Sequence, residues 1–321
     1  MTKDPMINPA PPRVQGVTWR SIGRDDLAAV VEMAKVCHLA DGGLAFLNEP
    51  DNLLGHYFPD APGAATGAFT ADGRLVACAT VHLARDSNME RALIAGQVRP
   101  GHRNRGIGTF LMRWSQVQAR ALFSTSPAEK RLLQVATESL TDSVHRLYRG
   151  HGFEPAMEEL VMRRDLHQPL PDRPPPPNVT ITSWQPDLAG QFFQAYARSF
   201  RDRPGFPGWS AEKWLDWTVD ENYRPEWSLL ARAGDVPTGF VTAGTEHPSG
   251  FVVQVGVVPE QRRRGLGSAL MVETMRRMQA AGETACQLTV ALNNPGAIEA
   301  YARLGFAVTG RRARYQRVVE R

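Results

Sequence analysis

Two short motifs occur twice in this chain of 321 residues, in the same order each time. The first is a glycine loop rich in arginine, which reads RNRGIG at 103–108 and RRRGLG at 262–267. The second is a tyrosine followed by Gly-Phe, which reads YRGHGF at 148–153 and YARLGF at 301–306. Motifs that repeat in order indicate a duplicated structural unit, so we expect two copies of one fold.

A proline-rich segment lies between the two copies. The sequence HQPLPDRPPPPN at 167–178 contains four consecutive prolines, which lack N–H donors and have a fixed φ. Such a run is a stiff linker and not a helix or an inner strand. The predicted organisation is a loose N-terminal arm at 1–15, a first domain at 16–166, the linker at 167–178 and a second domain at 179–321. The arm has no apolar run of the kind that a secretory signal needs.

Local patterns predict an α/β fold in each half. A β-branched strand at 251–258 precedes the second glycine loop, and Met271, Met275 and Met278 follow it at helical spacing. The first half repeats this order, with a strand at 92–98 and then a helix whose apolar face is formed by Phe110, Trp114, Val117 and Ala121. Hairpin turns are expected at 71–73 and 233–235, where glycine stands beside aspartate.

Composition excludes several classes of protein. No apolar stretch approaches the roughly 20 residues that span a bilayer, so no membrane partner is expected. The three cysteines are far apart, which argues against a disulfide framework or a structural zinc site and fits a reducing cytoplasm. The net charge is +4, but the sequence has neither a helix-turn-helix nor aromatic residues among basic strands, so no nucleic-acid partner is expected.

The glycine loops each lie between a predicted strand and a predicted helix. Glycine lets the backbone approach a ligand, and the free N–H groups of the helix N-terminus bind anions, above all phosphates. Flanking arginines add charge-assisted bonds. The alternative is a tight strand-to-helix turn with solvated arginines, which the duplication makes less favoured. The dinucleotide fingerprint Gly-x-Gly-x-x-Gly fits worse, because its third glycine is missing from both loops. The Walker loop also fits worse, because its Gly-Lys-Ser/Thr sequence is missing.

These residues resemble the GNAT superfamily of N-acetyltransferases. Both loops match its pyrophosphate pattern Gln/Arg-x-x-Gly-x-Gly/Ala, and Asn294, Tyr301, Gly305 and Phe306 match its later signature. The tandem layout, the proline-rich joint and the Asp41-Gly42 pair are similar to the mycothiol synthase group. The resemblance implies two tandem GNAT-like domains, each an α/β fold with a mixed, mostly antiparallel sheet flanked by helices.

The resemblance also implies one or two molecules of acetyl-CoA and no metal. The implied cofactor-binding residues of the second domain are Val255, Gly256, Val257, Arg262, Arg263, Arg264, Gly265, Leu266, Gly267, Ser268 and Asn294. Those of the first domain are Gln97, Val98, Arg103, Asn104, Arg105, Gly106, Ile107, Gly108 and Thr109. Tyr301 is the implied general acid, and its alternative is an aromatic residue that packs on the sheet. Asn294 also fits a helix N-cap before Pro295.

The general base is open at this point. Many members of the superfamily place a glutamate on the strand before the loop, where this chain has Gln254. The candidates, each of which also fits a surface charge or a turn, are Glu246, His247, Asp220, Glu221 and Asp41. The first domain departs from the pattern, because Thr141 replaces the asparagine. It is expected either to bind acetyl-CoA without turnover or to be a structural half.

The expected function is transfer of an acetyl group to a primary amine of a small molecule, with the C-terminal domain catalytic. The acceptor could be an amino sugar, a cysteinyl amine or an antibiotic. The alternatives are a protein N-acetyltransferase and a non-catalytic acyl-CoA sensor. An aromatic cluster at 206–217, together with Trp227, forms either a wall for the acceptor or a core under the sheet. A monomer or a homodimer is expected.

Overall fold

The computed structural model of the chain describes residues 8–45, 48–86, 89–124, 128, 130–203, 206–246 and 249–319. They form two units. The first contains the chain up to Leu160 together with the residues from Gly310 onward, and the second contains Val161–Thr309. Each unit combines β-strands with flanking helices.

The first unit has a mixed sheet. Its elements in chain order are β1 (Val17–Ser21), α1 (Leu27–Asp41), α2 (Pro50–Tyr57), β2 (Gly63–Thr70), β3 (Leu75–Asp86), β4 (Met89–Val98), α3 (Ile107–Phe123), β5 (Lys130–Thr137), α4 (Asp142–Gly150) and the start of β6 (Glu154–Asp165). The strands from β1 to β4 pair antiparallel in sequence order, and β4 pairs parallel with β5. The final strand of the chain then pairs antiparallel with β5.

The second unit repeats this plan. Its elements are the end of β6, β7 (Val179–Ser183), α5 (Ala189–Phe200), α6 (Ala211–Thr218), β8 (Leu229–Ala233), β9 (Val236–Glu246), β10 (Ser249–Val257), α7 (Leu266–Ala280), β11 (Ala285–Ala291), α8 (Pro295–Arg303) and the start of β12 (Ala307–Val319). Strands β7 to β10 pair antiparallel, and β10 pairs parallel with β11. The predicted class, tandem α/β domains with mixed and mostly antiparallel sheets, is therefore confirmed.

The borders of the units differ from the borders expected for the domains. The proline-rich segment at 167–178 has no helix or strand, but the division between the units falls earlier, after Leu160. The last strand belongs to the first unit from Gly310 onward, because Ala313 to Val319 pair with β5. Tyr315 is fully buried in the core of that unit. A strand follows its hydrogen-bond partners, and no local sequence pattern specifies which sheet it joins.

Helix periodicity was predicted correctly for one of the two helices that follow the glycine loops. Met271, Met275 and Met278 of α7 are buried. In α3, however, Ala121 is exposed and the buried face runs through Phe110, Ser115, Ala119 and Phe123. No helix in the described part of the chain is both long and apolar enough to cross a membrane.

Candidate functional site

The parallel strand pair of each unit separates before the glycine loop. Strands β4 and β5 pair from Met89↔Lys130 to Ile94↔Val135, after which β4 continues to Val98. Strands β10 and β11 pair only from Gly250↔Cys286 to Val252↔Leu288, and β10 continues to Val257. The backbone beyond each split has no strand partner on that side, so its N–H and C=O groups are available to a ligand. Five of the predicted cofactor-binding residues lie there, namely Gln97, Val98, Val255, Gly256 and Val257.

Both glycine loops have the same backbone conformation. Gly106 and Gly265 are the N-caps of α3 and α7, with φ of 78° and 84°. Two residues earlier, Asn104 and Arg263 also adopt positive φ, of 60° and 61°. This conformation is unusual for residues other than glycine, and finding it at the matching position of both loops shows that they are the same structure.

The helices after the loops begin with free donors. The first helical bonds of α3 and α7 run from Phe110 N–H to Gly106 C=O and from Ala269 N–H to Gly265 C=O. The N–H groups of the preceding residues therefore have no partner within the helix. These are the groups of Ile107, Gly108, Thr109, Leu266, Gly267 and Ser268. A helix N-terminus of this kind binds a phosphate group.

The first arginine of each loop braces the loop. Arg103 donates from Nε to the carbonyl of Val98 at 2.9 Å and from both terminal nitrogens to the Asp41 carboxylate at 2.7 Å. Arg262 likewise donates to the carbonyls of Val257 at 3.1 Å and Ser199 at 2.9 Å. These guanidinium groups hold the loop against the end of its strand. The arginines that follow, Arg105, Arg263 and Arg264, are exposed.

A cavity of about 540 Å³ lies in the first unit. The β4 and loop residues that were predicted to bind acetyl-CoA line it, namely Gln97, Val98, Arg103, Asn104, Gly106, Gly108 and Thr109. Helices α1 and α2 and the chain between them also line it, through His38, Asp41, Leu44, His56 and Tyr57. Tyr148 and Glu138 also line it. A single cavity thus extends from the loop to the helices at the start of the unit.

Burial determines the ionisation of most groups in this cavity. It lowers the pKa of His38 and of His56, so both imidazoles are neutral at pH 7. Burial also raises the pKa of Tyr148. The Glu138 pKa is raised because burial outweighs the opposing effect of Arg312, whose Nε lies 3.1 Å from Glu138 Oε2.

In the second unit, Tyr301 stands at the expected place on α8. Burial raises its pKa to about 12, so the hydroxyl remains protonated at neutral pH. The ring also packs against Phe306, with centroids 5.9 Å apart. Packing and proton donation are compatible, because only the hydroxyl acts as an acid.

Asn294 is an N-cap, which was its alternative role. Its side chain accepts a hydrogen bond from the Ala297 N–H at 3.3 Å. Thr141 makes the same bond to the Val144 N–H, also at 3.3 Å. The substitution at this position in the first unit therefore preserves the helix start.

The predicted candidates for the general base have other partners or lie outside the described part of the site. Gln254 accepts a hydrogen bond from the Trp214 indole at 3.1 Å. Asp220 accepts two backbone N–H bonds, at 3.0 and 2.9 Å, and so closes a turn. Glu221 is exposed, and Asp41 is paired with Arg103. His247 and the side chain of Glu246 lie outside the described residues.

Sequence reasoning missed Glu138. Glu138 directly follows β5, the strand that diverges from β4. Its place at the end of that strand is the local signal that could have indicated it. The sequence left two roles open for the aromatic cluster at 206–217, a wall for the acceptor or a core under the sheet. Trp214 belongs to the core, since it is fully buried and stacked on Tyr196. Trp227 is buried too, whereas Trp217 is half exposed.

No group of three or more His, Cys, Asp or Glu side chains among the described residues is arranged to hold a metal ion. The free cysteines, Cys37, Cys78 and Cys286, are all buried.

Comparisons with known proteins agree with this geometry. Residues 189–306 match the sequence model of the Acetyltransferase (GNAT) family, and residues 65–155 match that of an Acetyltransferase (GNAT) domain. Together the two matches cover more than half of the chain.

Known relatives align over almost the whole chain. The mycothiol acetyltransferase of Thermobispora bispora is 29% identical over 289 residues, which are 88% of this chain and 92% of that protein. A GCN5-related N-acetyltransferase from Sphaerobacter thermophilus superposes with a TM-score of 0.74 at 25% identity, covering 96% and 97% of the two chains. A tandem GNAT protein from the clavulanic acid biosynthesis pathway has the same fold, with a TM-score of 0.60, 16% identity and coverage of 94% and 98%. With two matched domains, this chain belongs to the GNAT superfamily and is an acetyl-CoA-dependent N-acetyltransferase.

Proposed function

We propose that the chain transfers an acetyl group from acetyl-CoA to the primary amine of a small molecule, and that the second unit catalyses this transfer. The observation that carries the proposal is the site around α7 and α8. There the split between β10 and β11 opens onto free helix N–H groups, and α8 carries a tyrosine that is protonated at neutral pH. The name of the Thermobispora relative, mycothiol acetyltransferase, supports a small-molecule acceptor.

The second glycine loop would hold the pyrophosphate of the donor. The N–H groups of Leu266, Gly267 and Ser268 supply fixed donors, and Arg263 and Arg264 supply exposed positive charge. A side chain at Gly267 would point into free space, since its Cβ would contact only Val257, at 3.6 Å. The residues therefore fit a phosphate group. The backbone at 255–257, which has no strand partner on one side, would bind the thioester carbonyl.

Acetyl-CoA supplies an activated acetyl group, and the residues of this chain would position it and control the protons. The neutral amine attacks the thioester carbonyl, so that a C–N bond forms and the C–S bond breaks. The departing thiolate takes a proton, which Tyr301 would donate. The high pKa of Tyr301 keeps that proton available across the neutral range.

A screen of amines tests the proposal. Purified protein is incubated with acetyl-CoA and a panel made of glucosamine, putrescine and S-methylcysteine, and acetylated products are detected by mass spectrometry. We expect at least one product, with one CoA released for each acetyl group transferred. Binding of acetyl-CoA without any acetylated amine would contradict the proposal and favour the acyl-CoA sensor.

A further inference from the structure

The cavity of the first unit has an apolar wall that the proposed function does not use. Five lining residues from α1, α2 and β4 also pack together in one buried cluster, and we call them the apolar wall: Ala34, Cys37, Leu53, Tyr57 and Ala95. All five are buried. Most of them are small, so they leave space in front of the wall.

The helices of the second unit allow this wall to be compared residue by residue. Ala34 and Tyr196 each stand seven residues after the start of their helix, α1 or α5. Leu53 and Trp214 each stand three residues after the start of α2 or α6. The second unit therefore has a large aromatic ring at two positions where the first unit has a smaller side chain.

A contact in each unit supports this alignment. Cys37 and Ser199 each stand ten residues after the start of α1 or α5, and each meets the strand before the glycine loop. The Cys37 Sγ lies 3.7 Å from the carbonyl oxygen of Val98. A Cβ added to Gly256 would lie 2.8 Å from the Ser199 Cβ. The two helices thus pack in the same register on their strands.

In the second unit the larger side chains contact one another. Tyr196 is stacked on Trp214, with centroids 5.0 Å apart, and Phe240 packs edge-on against both rings at 6.3 and 6.2 Å. Trp214 also donates to Gln254, which stands eleven residues before the N-cap glycine of its loop, as Ala95 does in the first unit. These side chains fill the space that small residues leave open in the first unit.

The charged side chains among the described lining residues are paired within the protein. Asp41 accepts two bonds from Arg103 at 2.7 Å, and Glu138 lies 3.1 Å from Arg312. Burial lowers the pKa of His38, so its imidazole is neutral at pH 7. A ligand group that lies against the apolar wall is therefore favoured when it is itself uncharged and apolar.

The apolar wall adjoins the backbone that would bind a thioester in the first unit. Ala95 lies just beyond the split between β4 and β5, and Gln97 and Val98 follow it on the unpaired end of β4. The side chains of Ala95 and Gln97 lie on the same face of the strand, since they are two residues apart. An acyl chain that begins at this thioester position would therefore meet the wall.

We propose that the first unit binds an acyl-CoA whose uncharged, unbranched acyl chain is longer than acetyl, with the chain against the apolar wall. The aromatic cluster of Tyr196, Trp214 and Phe240 correspondingly restricts the second unit to acetyl. This inference rests on the proposed function in one respect, namely that the glycine loops bind acyl-CoA. It goes beyond that function because it assigns a different ligand to the first unit.

Calorimetry with acetyl-CoA, hexanoyl-CoA and succinyl-CoA tests the first unit. The Gly267→Trp background is used, in which the second loop is blocked. We expect hexanoyl-CoA to bind about tenfold tighter than acetyl-CoA or more, because each buried methylene group strengthens binding by about fourfold. Succinyl-CoA carries a carboxylate and should bind no tighter than acetyl-CoA. Equal affinities for hexanoyl-CoA and acetyl-CoA, or a preference for succinyl-CoA, would overturn the inference and leave the proposed function standing.

Ala34→Tyr should remove the preference, because it places the tyrosine of the second unit in the apolar wall. In the same background, hexanoyl-CoA should then bind no tighter than acetyl-CoA, whose affinity should stay within a few-fold. Ala28→Tyr, the same change at an exposed position of α1, should keep the preference. If Ala34→Tyr does not fold, Ala34→Leu takes its place and should reduce the preference. A preference that is unchanged in the folded variant would refute the assignment of the wall.

Tyr196→Ala is the reverse change in the second unit. It is measured in the Gly108→Trp background, where the parent should bind hexanoyl-CoA no tighter than acetyl-CoA. The affinity for hexanoyl-CoA relative to acetyl-CoA should rise about tenfold or more, since the chain gains a place to lie. A variant that is merely less stable would lower both affinities and keep their ratio, and that result would contradict the role of the cluster. Tyr196→Leu replaces Tyr196→Ala if the latter does not fold.

Failure of this inference can be told apart from failure of the proposed function. Binding is measured without an amine, so the absence of any acetylated amine would overturn the proposed function and leave the binding preference intact. Acetyl transfer by the unmodified chain, combined with no binding of hexanoyl-CoA in the Gly267→Trp background, would overturn the inference alone. An unmodified chain that binds none of the three acyl-CoA compounds would overturn both.

Discussion

At the scale of single residues, Tyr301 is the most direct test of the second unit. We expect Tyr301→Phe to lower kcat by about 10²–10⁴-fold at pH 7, because the thiolate loses its proton donor. Acetyl-CoA affinity should change little, since the ring still packs on Phe306. The variant is measured in a Gly108→Trp background, so that acetyl-CoA bound at the first glycine loop would not contribute. The defect should shrink towards pH 9, where the thiolate needs the proton less.

Tyr148→Phe is the matched control for Tyr301→Phe. Tyr148 is buried among Phe153 and Tyr315, and it keeps those contacts as phenylalanine. Turnover of the otherwise unchanged chain should therefore stay within a few-fold of its original value. A large loss for Tyr148→Phe would contradict the assignment of the acid to the second unit. The absence of a loss at Tyr301 would make Tyr301 a packing residue only.

At the scale of elements, the two glycine loops should act as separate anion sites. Gly267→Trp should fit without moving the backbone, because a Cβ there would contact only Val257, at 3.6 Å, and the indole should then block the space in front of the α7 N-terminus. Isothermal titration should show the acetyl-CoA stoichiometry falling by one. Gly190→Trp, at an exposed position of α5, should leave it unchanged. Affinity should also weaken with salt, since charges contribute to it.

The start of α8 allows the two roles of Asn294 to be separated. Asn294→Ala removes the cap and should destabilise the helix by about 1 kcal/mol, which corresponds to roughly fivefold faster amide exchange in α8. Asn294→Ser keeps a capping oxygen and should restore the protection. If Asn294 also contacts the donor, both variants should weaken acetyl-CoA binding. Restored binding in Asn294→Ser would mean that the residue is a cap alone.

At the scale of the whole molecule, the last strand should stabilise the first unit. Tyr315 is fully buried there, and its hydroxyl donates to Glu158 at 2.8 Å. Tyr315→Ala should cost about 3–5 kcal/mol, comparable to other deletions of a large buried ring. Hydrogen exchange should quicken in β4, β5 and α3 and remain slow in β10 and α7. Equal loosening of both units would contradict this assignment of the strand, and Tyr315→Phe, which keeps the ring, should have a much smaller effect.

Local features of the chain were predictable because they depend on neighbouring residues. Gly265 and Gly106 lie where the motif predicted, at the starts of the helices that follow the strands. Asn294 caps α8, and the methionines of α7 are buried as their spacing indicated. Interactions within a few residues of the chain are sufficient to set all of these features.

The sequence by itself determined the duplication, the fold class and the places of the two glycine loops, since each is encoded in a short repeated pattern. Only the tertiary structure decided what those residues contact. Arg103 pairs with Asp41 from 62 positions away, Gln254 accepts a hydrogen bond from an indole 40 positions away, and Glu138 pairs with Arg312. The final strand joins the first unit because its backbone bonds to β5. Contacts between residues far apart in the chain depend on how the strands pair and pack, and a local pattern contains no information about that choice.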